Sequence, residues 1–142
     1  MKIVSEAFLG GLVLFLAACS QADYSFMKEG QPVAESIVRE VGTAWDADKL
    51  IARMDPRVVQ KFSEAEVRKM IRTGAETLGP VTAQKTLTGE VMVETEIPGK
   101  SALYVIEAKC EKGQGRIRVK LQKSGSTWRV IGFWVQGRRN AA

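Results

Sequence analysis

Residues 62–80 decide the fold: Phe62-Ser63-Glu64-Ala65-Glu66-Val67-Arg68-Lys69-Met70-Ile71-Arg72-Thr73-Gly74-Ala75-Glu76-Thr77-Leu78-Gly79-Pro80. Ser63 followed by Glu66 is a capping box, and Phe62 with Val67 makes a hydrophobic staple across it. Val67, Met70, Ile71, Ala75 and Leu78 share one helical face, and Gly74 on that stripe marks a close crossing with another element. Gly79-Pro80 stops the helix. After Pro80 the apolar repeat changes from about 3.6 residues to about 2. Strands are expected at Val81–Leu87, Glu90–Ile97, Ala102–Cys110, Arg116–Gln122 and Trp128–Gln136, with turns at Pro98-Gly99, Lys112-Gly113 and Ser124-Gly125.

Upstream, Pro32 suits the first turn of a helix, and Val33, Ile37, Val41, Ala44 and Trp45 recur at helical spacing. Asp46 or Asp48 caps a short second helix carrying Leu50, Ile51 and Met54, which Asp55-Pro56 stops. Helices followed by an antiparallel meander make an α+β domain over residues 32–138, with a tail at 139–142. The sheet is expected to have four or five strands.

Three stretches carry a family resemblance: Phe62-Ser63-Glu64-Ala65-Glu66-Val67, Thr77-Leu78-Gly79-Pro80, and the closing Thr127-Trp128-Arg129-Val130-Ile131-Gly132-Phe133. Over Pro32 to Gly137 the pattern resembles small lipoproteins of the nuclear transport factor 2-like (cystatin-like) superfamily. That resemblance implies N-terminal helices packed into the concave side of a curved sheet, a cone with a pocket inside it. It implies no catalytic signature.

Alternation assigns the faces of the sheet. Two-residue turns are expected to set Val93 beside Tyr104, Ala108 beside Ile117, Glu107 beside Arg118 and Leu121 beside Trp128. Thr95, Tyr104, Trp128 and Trp134 then face the helices and line the pocket, together with the apolar core. Arg116, Arg118, Lys120, Arg129, Ile131, Phe133 and Val135 share the opposite face. The row Ile131, Phe133, Val135 would leave an apolar strip in water, so a cover is expected: a second copy, an envelope protein or the chain's own tail. From Lys100 onward the chain has ten Lys or Arg against two Glu, a net of +8. Such a face favours anionic partners. The aromatics fall mostly on the other face, so no base-stacking platform for nucleic acid is evident.

The 142 residues are 45% hydrophobic and 26% charged, which fits one globular domain. No histidine is present, which removes His-based triads, His metal ligands and a His proton shuttle. Two cysteines are too few for a disulfide scaffold or a Cys-rich zinc site. Asp46, Asp48 and Asp55 have the spacing of caps and turns. Cys110 reads as a small buried hydrophobe. The glycines at 113 and 115 belong to a hairpin, not to a phosphate loop before a helix. No cofactor, no metal and no catalytic residue is therefore expected.

The N-terminus is an address. Lys2 opens it, and Ala7 to Ala18 is an unbroken apolar or glycine run. That run is short of the roughly 20 residues a membrane-spanning helix needs, and right for a signal-peptide core. It ends Leu16-Ala17-Ala18-Cys19, which resembles the lipobox of bacterial lipoproteins. The resemblance implies a signal peptide at 1–18, lipidation of Cys19 and attachment to the membrane by acyl chains. With Ser20 rather than Asp next, it implies the outer membrane facing the periplasm in a Gram-negative host. Residues 19–31 then read as a lipidated start and a tether, with Phe26 and Met27 either free or docked on the domain.

Two functions follow as expectations: a membrane-anchored, non-catalytic binding or assembly module, or a small-ligand carrier or enzyme using the pocket with Tyr104 as its polar handle. The address is checked first. Cys19→Ala is expected to abolish metabolic labelling with a fatty acid and to release the protein from membranes. Continued acylation and membrane retention of the variant would refute it.

Overall fold

The computed structural model describes the backbone of residues 2–141 and the side chains of residues 21–141. Four helices come first: α1 (Lys2–Gly42), α2 (Ala47–Arg53), α3 (Pro56–Phe62) and α4 (Glu64–Leu78). Four strands follow: β1 (Val81–Glu94), β2 (Gly99–Cys110), β3 (Gly113–Ser124) and β4 (Thr127–Arg139). They form one open antiparallel sheet in the order β1-β2-β3-β4. The fold is α+β, with the helices on one face of the curved sheet.

The expected tether is helix instead. Phe26, Met27, Gly30, Ala34, Ile37, Val38 and Val41 form one stripe along α1, and the stripe lies on the sheet. The Tyr104 hydroxyl donates to the Met27 carbonyl at 2.6 Å. Gly30 is buried in this contact, and a Cβ there would collide with that hydroxyl and with the Trp128 ring. Asp23 pairs with Lys100, and Glu29 with Lys123. Pro32 sits inside α1 rather than at its start. Pro32 and Lys28 are both on the exposed side, so water can satisfy the Lys28 carbonyl that proline leaves without a donor. Cys19 lies outside the residues whose side chains are described.

Asp46 caps α2 by accepting from the Asp48 and Lys49 amides. Asp55-Pro56, expected only as a stop, also starts a helix: Asp55 accepts from the Arg57 amide and Pro56 occupies the first turn of α3. Ser63 ends α3 and caps α4, with the Glu66 amide donating to its Oγ at 3.4 Å. The close crossing at Gly74 is with Trp45, whose ring packs on that glycine and whose indole N–H donates to the Gly79 carbonyl at 2.6 Å.

The sheet differs from expectation in three ways. The two strands expected before Pro98 are the single strand β1, with register irregularities between Val81 and Ala83 and between Thr86 and Thr88. Tyr104 lies opposite Gly89, not Val93, because Met27 and the tyrosine ring fill the space a Cβ on residue 89 would take. The later two turns are each displaced by one residue, to Glu111-Lys112 and to Gly125-Ser126, which shifts the register by two: Ala108 pairs with Gly115, Glu107 with Arg116 and Leu121 with Val130. A shift of two preserves the faces.

The third difference reverses them. Leu121 pairs with Val130 but Lys120 pairs with Gly132, so Ile131 is an extra residue, a β-bulge. Beyond it, Phe133 pairs with Val119 and Val135 with Ile117, both on the helix-facing side. Phe133 is only 7% exposed, whereas Trp134 turns outward and is 48% exposed. The expected outer row of Ile131, Phe133 and Val135 therefore does not exist, and Trp134 does not line an inner pocket. Phe133→Ala is expected to cost about 3–5 kcal/mol in a denaturant melt, and Trp134→Ala no more than about 1 kcal/mol. The opposite order would restore the unbulged strand.

Candidate functional site

Of the four residues expected to line one pocket, Tyr104 and Trp128 come together under Gly30 of α1, and Thr95 and Trp134 lie elsewhere. Tyr104 is fully buried, and its hydroxyl is committed to α1. Burial, and to a smaller extent the charge of Glu29, push its pKa up to about 12. Trp128 packs under α1 with its ring centroid 4.9 Å from that of Phe26. Thr95 is exposed in the β1–β2 turn. Trp134 is on the outer face, over Gly132. The space under the helices is occupied by core, with Ile37, Leu50, Ile71, Leu78 and Ile106 all at or near zero exposure.

The concavity lies elsewhere. A groove of about 470 Å³ opens where α3 and the start of α4 meet the bulge in β4 and the β1–β2 turn. Its helical wall is Val58, Phe62, Val67 and Met70, and its sheet wall is Ile131, Gly132, Phe133 and Trp134. The bulge builds the second wall, because it places Ile131 and Gly132 where a regular strand would alternate. Phe62 was expected to staple α4, yet it remains 50% exposed at the rim. It faces the groove together with Trp134, which is as exposed. Ser63, next to it, has φ +64, a strained value for a residue with a side chain.

Ion pairs close the rim. Lys61 of α3 binds Glu96 of the turn. Lys120 binds Glu94 at 2.9 Å, and the Ser101 hydroxyl donates to the same carboxylate at 2.9 Å. Lys120, and secondarily Ser101, hold the Glu94 carboxyl below its ordinary range against the opposing effect of burial. At the back of the groove Arg57 grips Asp55 through two bonds, 2.9 and 2.8 Å long, and holds that carboxyl low as well. Carboxylates held this way are weak bases. Their arrangement gives a polar border to an apolar trough, which is the composition of a binding surface.

The basic residues expected on the outer face are there. Arg116 and Arg118 are exposed beside Leu103 and Trp134 along a shallow hollow of about 330 Å³. Lys120 is tied to Glu94, and Arg129 is half-buried near enough to Asp55 to lower its pKa. Sequence reasoning missed Lys61, Met70 and Glu96 as groove residues. Among the described residues no cluster of ligands suits a metal ion, and no helix is long and apolar enough to cross a membrane. Cys110 is buried, and burial raises its thiol pKa. Comparison with protein-family models, curated proteins and solved structures found no match.

The depressed carboxyls give the domain an acid limb. A lowered folded-state pKa contributes stability that is complete above the ordinary carboxylate range and is lost as pH falls through the folded value. Asp55→Asn keeps a capping side chain but loses the charge. Its melting temperature is expected to lie below that of the unaltered chain at pH 7, and the gap is expected to close as the pH falls from about 4 through the lowered folded-state value. A gap constant across that range would remove the Asp55–Arg57 pair from the stability of the domain.

Proposed function

We propose that this chain is a membrane-anchored envelope lipoprotein that acts as a non-catalytic binding or assembly module, and that the groove between α3–α4 and the β4 bulge seats an apolar side chain of a protein partner. The observation that carries the reading is the pair of half-exposed aromatics, Phe62 and Trp134, facing one apolar groove from two different elements. Large aromatic and aliphatic side chains in a concave site, bordered by satisfied charges, are the anatomy of a binding hot spot. The order of helices and meander supports the nuclear transport factor 2-like resemblance. The lipobox supports attachment at Cys19. Three residues lie between Cys19 and Asp23, which is already held by Lys100, so at most about 14 Å of chain, four residue steps, lies between the acyl chains and the folded domain. The groove would then work close to the membrane surface.

The competing reading, a small-ligand carrier or enzyme with Tyr104 as polar handle, is weakened because the Tyr104 hydroxyl is taken by α1.

Photo-crosslinking amino acids at positions 62 and 134, compared with one at the exposed position 85 on β1, test the proposal in living cells. Protein adducts of one mass at 62 and 134, absent at 85, are expected. Adducts at 85 alone, or none larger than a small molecule at 62 and 134, would overturn it.

A further inference from the structure

The groove continues along the free edge of the sheet. β4 is the last strand in the order, and only its beginning is covered. There Met54 forms a parallel bridge with Val130, and the Asp55 amide donates to the Val130 carbonyl at 2.9 Å. Val130 thus turns its backbone groups away from β3. In an antiparallel strand that orientation alternates, so after the bulge Phe133, Val135 and Gly137 turn their N–H and C=O groups to the same open side. Among the described residues no backbone partner meets them there.

Exposed edges are usually blunted by proline, by charges pointing inward or by a covering element. The other edge, β1, has such devices: two irregularities in register, and Gln84 and Thr86 side chains bonded to Glu35 of α1. From Phe133 to Gly137 the β4 edge has no proline and no charged residue. Instead α4 runs beside it and leaves a trough of about 540 Å³, floored by Met70, Thr73, Thr77, Val135 and Gly137. Glu66 and Met70 line both this trough and the groove, so the two form one slot. A strand laid there would have hydrogen-bond partners on one side and the mixed helix face of Met70, Thr73 and Thr77 beneath it.

Charge selects the occupant. Lys69 on the helix side, Arg138 and Arg139 at the end of β4, and Arg116 and Arg118 on the outer face are all exposed. None is in an ion pair among the described residues. The opposing acids are Glu66 and Glu76 on α4, whose Glu64 is paired with Arg68, and Glu107 on β2, which lies opposite Arg116. Antiparallel pairing of two copies through β4 would bring no acidic residue of one strand to the other, since the only charged residues of β4 are Arg129, Arg138 and Arg139, which disfavours a second copy.

We propose that the β4 edge from Phe133 to Gly137 takes an extended, acidic segment of a protein partner as an added fifth strand. The proposal rests on the binding-module reading and names the form of its partner. Main-chain bonds would supply affinity, and the alternation of apolar and acidic side chains would supply specificity.

The test uses the full chain in detergent micelles and an eight-residue peptide of alternating Val and Asp. Three peptides are compared by fluorescence anisotropy: this one, its Val-Lys counterpart, and the Val-Asp peptide N-methylated at alternate residues. The expected result is binding of the Val-Asp peptide alone, with affinity reduced at least about tenfold by N-methylation, since two or three backbone bonds are lost. Lys69→Glu, a surface change, is expected to weaken it several-fold, and the Phe133, Val135 and Gly137 amides are expected to gain exchange protection. No binding above the Val-Lys peptide, or binding without protection of those amides, would overturn the proposal. Protection that rises with protein concentration and needs no peptide would also overturn it, in favour of a second copy. Crosslinks retained at 62 and 134 alongside a failed peptide test would leave the binding module standing and reject the added strand.

Discussion

One extra residue in β4 governs the half of the molecule that carries the groove. With Ile131 bulged out, Val130 keeps its side chain in the core and its carbonyl on Asp55, while the next core side chain is Phe133, one position later than strict alternation allows. A regular strand would bury Trp134 and expose Phe133. It would also flatten the wall opposite Phe62 and remove the groove. The bulge is stable because both ends are fixed. The Asp55 contact holds the strand before it, and Val119 and Ile117 hold it after. Gly132 completes the arrangement: the Trp134 ring lies across it, where a side chain would block the outward turn of the indole.

The second constraint is the seat of α1. Tyr104 anchors the helix through one hydrogen bond, and two glycines, Gly30 on the helix and Gly89 on the opposite strand, make room for that contact. These positions are far apart in sequence, which explains how they were misread. Gly89 in sequence looks like a break between two strands, and Gly30 with Gln31 looks like the end of a tether. In the folded chain both are places of close approach.

Much of the architecture was legible because its signals are local. The cap at Ser63, the stripe from Val67 to Leu78 and the change of period at Pro80 each lie within a few residues of what they determine. The basic outer face from Arg116 to Lys120 was legible for the same reason, since a register error of two does not alter alternation. The bulge was not legible. A single inserted residue leaves no compositional trace, and it inverts everything after it, so Ile131, Phe133, Val135 and Trp134 were all assigned to the wrong side. The groove escaped as well, because α3, the β1–β2 turn and β4 meet only in three dimensions. Phe62 was singled out for its place before a cap, with nothing in the sequence to show that it would stay half exposed.

The seating of α1 also has a consequence for the order of events in biosynthesis. The stripe of Phe26, Met27, Ile37, Val38 and Val41 finds its complement on strands made much later, and the Met27–Tyr104 bond spans 77 residues. At ordinary translation rates that delay is about 4–15 s. For that interval the first third of the chain presents an amphipathic helix with nothing to lie on. The hairpins of the meander close locally and quickly. Seating of α1 is therefore a late event, because the strand that carries Tyr104 must be made first.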